Sequence, residues 1–268
     1  MTPPAWELFA VCYARQPERR PAHLTYVDGR EAESTTGFDY FFWYAVQGER
    51  VVVIDTGFSE EACRRLGRAW AGDPATLLAR AGIDAGAVRD VILTHAHPDH
   101  VGNLDQFPNA TFWIHAEEMR ALTGEEMSFD FFRHSYHGED VCALVRLLHA
   151  GRLRIIAEDG AFAEGLDHIL IGGHAPGQMA LRIETRRGPV LLASDAVHLF
   201  EEMEGERPFF VFHDMRRMLR GLRTCRRLAG SDDRLVPGHD PRVTEIYPCP
   251  VPGMEGILLD LGEAPAGP

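Results

Sequence analysis

Lysine is missing from this 268-residue chain, and all 27 of its basic residues are arginine. A biased genome explains that simply. It nevertheless excludes Schiff-base chemistry and lysine general bases, which need an ε-amine. Cysteine is scarce as well: Cys12, Cys63, Cys142, Cys225 and Cys249 are scattered, odd in number and form no CxxC pair. They read as reduced thiols, not as a disulfide frame or zinc ligands. No run is long and apolar enough to span a bilayer, and the opening MTPPAWELFAVCYARQPERR lacks the basic start and apolar core of a signal peptide. A soluble, cytoplasmic protein is expected. Positive charge is also in deficit: 40 acidic residues against 27 arginines leave a formal charge of −13. Neither a nucleic acid nor an anionic membrane is therefore the expected partner. An apolar fraction of 45% suits one α/β domain over 1–268 with a sizeable core.

What is present concentrates in residues 91–103, VILTHAHPDHVGN. The apolar run Val91-Ile92-Leu93 leads into Thr94, and His95, His97, Asp99 and His100 then fall within six residues. In extended chain, side chains two apart share a face, so His95 and His97 converge on one point. Pro98 forbids a regular strand interior and bends the chain, presenting Asp99 and His100 on a turn. Four nitrogen or oxygen ligands on one short bend can hold more than one divalent metal. Three later motifs, GGHAPGQ at 172–178, SDA at 194–196 and PGHD at 237–240, each follow a strand-like run. Sites in α/β proteins are built at such strand ends.

Strand-like runs occupy 7–13, 38–46 and 51–54, the second dense in aromatics and joined to the third by a Gly-Glu-Arg turn. Residues 59–70 and 74–82 read as helices with Ser59 and Asp73 as N-caps and Gly82 as a stop. A short strand at 111–114 and a helix at 117–122 follow the histidine-rich bend. Residues 123–150 are the least regular part: they form either a lid over a site or a loop packed on the core, ending in a helix at 140–149. Further strands are expected at 153–156, 168–171, 179–185, 190–193 and 234–236. Residues 215–229 form an amphipathic helix whose arginines read as a solvated face, not an RNA contact. Residues 262–268, GEAPAGP, look like a flexible tail.

The HAHPDH run resembles the HxHxDH signature of the metallo-β-lactamase superfamily, and the later motifs match that family's remaining ligand motifs in order. The resemblance covers about Asp55 to His239. It implies an αββα sandwich of two mixed β-sheets flanked by helices. It also implies two metals: His95, His97 and His174 on one, Asp99, His100 and His239 on the other, and Asp195 bridging. Asp55 matches the aspartate that braces the metal-binding loop, against the plainer reading of a turn aspartate. An all-nitrogen-and-oxygen set suits two zinc ions first, with iron, manganese or cobalt as alternatives. His97 stands where flavodiiron relatives carry glutamate, which favours hydrolysis over oxygen chemistry.

The implied reaction is attack of a metal-bridging hydroxide on a carbonyl, with Asp99 as a proton carrier to the leaving oxygen. Among subclasses, FFW before the DTG strand, HAHPDHVGNL, GGHAPGQ, SDAVHLFE and VPGHDP look most like the N-acyl homoserine lactonase family, whose members act in quorum quenching. One position departs. Where those lactonases often place a tyrosine on the substrate carbonyl, this chain has His198, which either donates the same hydrogen bond or packs. Phe209, Phe210 and Phe212, with Phe129, Phe131 and Phe132, either line an apolar pocket or belong to the core. The leading expectation is a zinc-dependent lactonase acting on an acyl-homoserine, small or aromatic lactone. A glyoxalase II-type thioester hydrolase and a non-catalytic metal-binding protein on the same fold are the alternatives.

Overall fold

The structure is a computed structural model and describes residues 5–16, 18, 25–28 and 37–266. Its first two strands, β1 (Glu7–Gln16) and β2 (Phe38–Gln47), pair antiparallel and are buried along most of their length, not at alternate positions. Successive strand side chains face opposite sides, so such strands are stable only when both faces are covered. Leu8, Ala10, Cys12, Phe41 and Trp43 enter one core, and Val11, Tyr13, Phe42 and Tyr44 enter another.

The other strands are β3 (Arg50–Ile54), β4 (Ala69–Trp70), β5 (Asp90–Ile92), β6 (Thr111–His115), β7 (Leu153–Ile156), β8 (Gly160–Ala163), β9 (Leu166–Leu170), β10 (Met179–Thr185), β11 (Gly188–Ser194), β12 (Leu235–Pro237) and β13 (Leu258–Asp260). One mixed sheet runs β13-β1-β2-β3-β5-β6-β7, with β4 also on β1; β3, β5, β6 and β7 are mutually parallel and the rest antiparallel. The second runs β12-β11-β10-β9-β8, with only β11 and β12 parallel. Between the sheets lie Trp6, Trp43, Ile54, Met179, Leu181, Leu192 and Val236. Each such side chain contributes about 1.5–3 kcal/mol when fully buried.

The helices are α1 (Glu60–Arg65), α2 (Pro74–Arg80), α3 (Pro98–Val101), α4 (Ala116–Leu122), α5 (Asp130–Arg133), α6 (Gly138–His149), α7 (Phe200–Gly205), α8 (Met215–Ala229) and α9 (Arg242–Ile246). Leu77, Leu78 and Leu144 cover the outer face of the first sheet, and Leu222 and Cys225 of α8 cover Ala180, Leu191 and Ala193 on the second. The expected αββα sandwich is therefore the observed architecture.

Several local readings change. The helix expected over 59–70 stops at Arg65; Gly67, at φ +66°, turns the chain so that Ala69–Trp70 can pair with β1. Ser59 and Asp73 do cap their helices, accepting from the N–H of Ala62 and Thr76. Pro98 opens a single helical turn, α3, in which its missing N–H costs nothing, and so Asp99 and His100 ride on helix. Residues 123–150 are mostly helical, with a 3-10 turn at Glu125–Ser128 before α5 and α6. Of the 262–268 stretch, Ala266 donates its N–H to Ile246 C=O at 2.7 Å, and residues 267 and 268 lie outside the described residues. No helix of the described residues is long and apolar enough to cross a membrane.

Candidate metal centre

Parallel strands end on the same edge, so β3, β5 and β6 deliver Asp55, the 93–100 bend and α4 to one end of the first sheet. At that end the two sheets are stitched together, the Met179 N–H donating to Thr94 C=O at 2.9 Å. The second sheet contributes its own loops: the turn after β9 carries His174, and the parallel pair β11–β12 sets Asp195 beside His239. Asp55 (φ +62°) and Ser194 (φ +46°) are non-glycine residues in the left-handed region, both at strand ends under the site. Such strain persists only where surrounding bonds hold it.

Those bonds are visible at Asp55, which is fully buried. Its Oδ1 accepts the Thr94 N–H at 2.7 Å, and its Oδ2 accepts the Thr94 hydroxyl at 2.7 Å and faces His100 Nδ1 at 2.7 Å. A carboxylate only accepts, so His100 carries a proton on Nδ1, and Nε2 is the nitrogen left to face inward. His239 is fixed in the same way by Asp39 C=O at 2.9 Å from Nδ1, and His174 by Val211 C=O at 3.1 Å.

All seven residues expected as ligands converge. His95, His97 and His174 form one group, and Asp99, His100, Asp195 and His239 another, with ligand atoms within 4.8 Å of one another in each. Asp195 lies between the groups: Oδ2 is 3.1 Å from His239 Nε2 and 3.3 Å from His174 Nε2, and Oδ1 is 3.3 Å from His100 Nε2. Asp99 Oδ2 stands 3.6 Å from His239 Nε2 and 3.7 Å from His100 Nε2.

The residues fit divalent cations. His95 Nε2 and His100 Nε2 are buried with no hydrogen-bond partner among the described residues, and His97 Nδ1 and His174 Nε2 face each other at 2.8 Å. Buried, inward-facing imidazole nitrogens left without a partner, as at His95 and His100, are costly unless an ion fills the space between them. Burial, followed by the neighbouring imidazoles, holds His95 and His174 well below the ordinary histidine range, and burial takes His97 down to about 4, so all three are neutral and able to serve as donors at pH 7. At His100 burial opposes a charge, but Asp195, Asp99 and Asp55 outweigh it and raise the imidazole well above its usual value. Burial also works against an ionised Asp195, yet His239, His100 and His198 keep it well below the carboxylate range. A group that attracts a proton so strongly sits where positive charge is favoured, and a metal ion satisfies the same field.

His198 is buried beside this cluster, its Nε2 3.4 Å from Asp195 Oδ2 and its ring stacked on Phe209 at 3.7 Å. Glu202, buried in the first turn of α7, accepts the His198 backbone N–H at 2.7 Å and faces its Nδ1 at 3.0 Å. Burial disfavours charge on His198, but Glu202 and Asp195 outweigh it and raise the group to about 9. The cavity over the cluster, about 300 Å³, is walled by His198, Phe38, Tyr40, His134, Ser135, Phe209, Phe210 and Val211, with His97, Asp99, His174, Asp195 and His239 of the cluster on its floor. Phe209 and Phe210 thus line it. Phe129 and Phe131 do not; they are 55% exposed on and beside α5. Sequence reasoning missed two residues with direct structural roles here, Glu118 and Glu202. Only the placement of Glu202 in the first turn of α7 carried a signal, because an acidic side chain there can reach back to N–H groups just before the helix.

The sequence model of the metallo-beta-lactamase superfamily matches residues 36–239, and the chain belongs to that superfamily. An N-acyl homoserine lactonase of Bacillus cereus is 33% identical over 138 residues, which is 51% of this chain and 50% of the relative. The chain spans about half the length of the curated relatives it first matches. Among solved structures, a quorum-quenching N-acyl homoserine lactone lactonase superposes with a TM-score of 0.72 at 22% identity, covering 90% of this chain and 93% of the other. AidC, described as a dizinc quorum-quenching lactonase with a bound N-hexanoyl-homoserine product, superposes with a TM-score of 0.68 at 20% identity, covering 89% of each.

Proposed function

We propose that the chain is a dinuclear metal-dependent hydrolase that opens the ring of a lactone to give a hydroxy acid. The observation that carries the reading is the convergence of five imidazoles and two carboxylates beneath a cavity with aromatic and aliphatic walls. His95, His97 and His174 would hold one ion, Asp99, His100 and His239 the second, and Asp195 lies where it would serve both. Zinc suits this donor set first, with iron, manganese or cobalt as alternatives. When bound, two such ions supply an activated water at neutral pH and polarise an ester carbonyl.

The chain's own residues do the rest. Asp99 keeps 20% of its side chain exposed and lines the cavity, so it can pass a proton to the departing ring oxygen. His198, clamped through Nδ1 by Glu202, lines the cavity with its Nε2 beside His174 and Asp195, from where it can donate to a reacting carbonyl. Phe38, Phe209, Phe210 and Val211 exclude water and offer apolar surface to an acyl chain or aromatic ring. No arginine lies among the described residues of the cavity wall. That favours an uncharged lactone over a phosphodiester or a glutathione thioester, whose anionic groups need cationic partners. The names borne by the Bacillus relative and by AidC support the same substrate class.

The test is a panel of acyl-homoserine lactones, aromatic lactones, thioesters and phosphodiesters presented to the zinc-loaded protein. Ring opening should show the highest kcat/KM. A preference for thioesters or phosphodiesters would overturn the reading.

A further inference from the structure

Three segments of the chain meet on one carboxylate that belongs to none of the ligand motifs. Glu118 lies in the first turn of α4 and is fully buried. Its Oε1 accepts the Ala96 N–H at 2.9 Å and the Tyr136 hydroxyl at 3.3 Å, and its Oε2 accepts the Gly177 N–H at 2.7 Å. Ala96 stands between His95 and His97, and Gly177 closes the loop that carries His174. Tyr136 also packs its ring on His97, with centroids 4.9 Å apart. The approach is tight: a Cβ at residue 177 would lie 2.4 Å from the Glu118 Cβ and 2.6 Å from its backbone nitrogen. Residue 177 must therefore lack a side chain for the loop to come this near.

We propose that Glu118 is a positioning residue that sets the spacing between the His95/His97 bend and the His174 loop. Through Tyr136 it ties the 125–137 segment, which places His134 and Ser135 on the cavity wall, to that same spacing. The inference rests on the metal reading above and adds a part to it. His95, His97 and His174 come from two loops on different sheets, and metal ligands must be held to within about 0.2 Å. A planar carboxylate that accepts one N–H from each loop is a rigid spacer between them. Glutamine in its place keeps one acceptor oxygen and turns an NH2 group toward a second N–H, so one of the two loops is released.

The full chain is tested as Glu118→Gln and Tyr136→Phe. Zinc affinities are read by competition with a chromophoric chelator, and amide protection by hydrogen exchange on metal-free and zinc-loaded protein. For Glu118→Gln, one of the two zinc sites should weaken by about 10–100-fold while the other stays within about threefold. Exchange at one of Ala96 and Gly177, the N–H left facing the amide NH2, should quicken by about tenfold while the other and the sheet strands stay protected. For Tyr136→Phe, both zinc affinities and the protection of Ala96 and Gly177 should persist while exchange across 125–137 quickens. A Glu118→Gln protein that holds both ions as tightly as the original, or loosens both equally, overturns the inference. If the original chain binds fewer than two zinc ions, the metal reading fails, and the exchange data still decide whether Glu118 spaces the loops. Should Glu118→Gln not fold, unchanged exchange across 125–137 in Tyr136→Phe is enough to overturn it.

Discussion

Replacing Asp55 by asparagine exchanges one carboxylate oxygen for an NH2 group and removes a charge while keeping the shape, which makes it a sharp test of how the second metal group is prepared. The side chain keeps its shape, and asparagine tolerates the φ of +62° that position 55 requires. The Thr94 backbone N–H can only donate, so the amide must turn its oxygen toward it, where Oδ1 now accepts at 2.7 Å. The amide NH2 then occupies the place of Oδ2, facing the Thr94 hydroxyl and His100 Nδ1, each 2.7 Å away in the original chain. The hydroxyl can rotate and accept. His100 cannot keep a proton on Nδ1 against an N–H donor, so the proton moves to Nε2, the atom that faces Asp195 and Asp99. An Nε2–H imidazole offers no lone pair inward. Removing a partner that fixes a ligand's tautomer weakens metal binding by about 10–100-fold, or roughly 1.4–2.7 kcal/mol. The metal-free fold should lose less, because burial already pushes the Asp55 carboxyl up and makes its ionised form costly. Zinc titration monitored by calorimetry would report the weakened site, and denaturant melts of the metal-free protein would report the fold. Two zinc ions bound as tightly as in the original chain would refute the claim that Asp55 sets the His100 tautomer.

Four other outcomes follow from the same structure. His198→Ala should lower kcat/KM for an acyl-homoserine lactone by about 100-fold, the usual loss when an oxyanion donor is removed, and His198→Tyr should recover most of it; unchanged kinetics in both would assign His198 to packing against Phe209. Gly173→Ala should destabilise the protein by about 3 kcal/mol in urea melts, since φ there is +95° and a Cβ would lie 2.3 Å from the Met218 backbone nitrogen of α8. Thiol labelling of the folded protein at pH 8 should modify exposed Cys142 first and spare Cys12 and Cys225, whose thiols burial pushes up to about 12; labelling of the buried pair at the same rate would contradict the packing. Zinc at a thousandfold excess over its Kd should stabilise the fold by about 4.1 kcal/mol per site, read as a raised Tm that a chelator reverses.

Much of the sheet framework was legible because it depends on local pattern. The strand at 179–185 and the helix at 215–229 stand where alternation and helical spacing put them. Short strands escaped: β8 and β13 carry too few residues for a period, and they exist because β9 and β1 offer them edges. The helical content of 125–137 was hidden because its turns are four residues long and exposed, with no apolar stripe to announce them.

The donor residues that converge were written in the sequence itself. Metal binding demands particular donor atoms at strand ends, and the HAHPDH bend, His174, Asp195 and His239 carry those atoms in an order that local chain geometry preserves. What draws the two halves of the site together was not written there. Glu118 and Glu202 are ordinary glutamates in acidic stretches, EEM and EEM, until folding buries them without solvent. Only then does each carboxylate have to find donors, and those it finds are backbone N–H groups and ring groups beside the histidine cluster, brought there by the packing of the two sheets and α7.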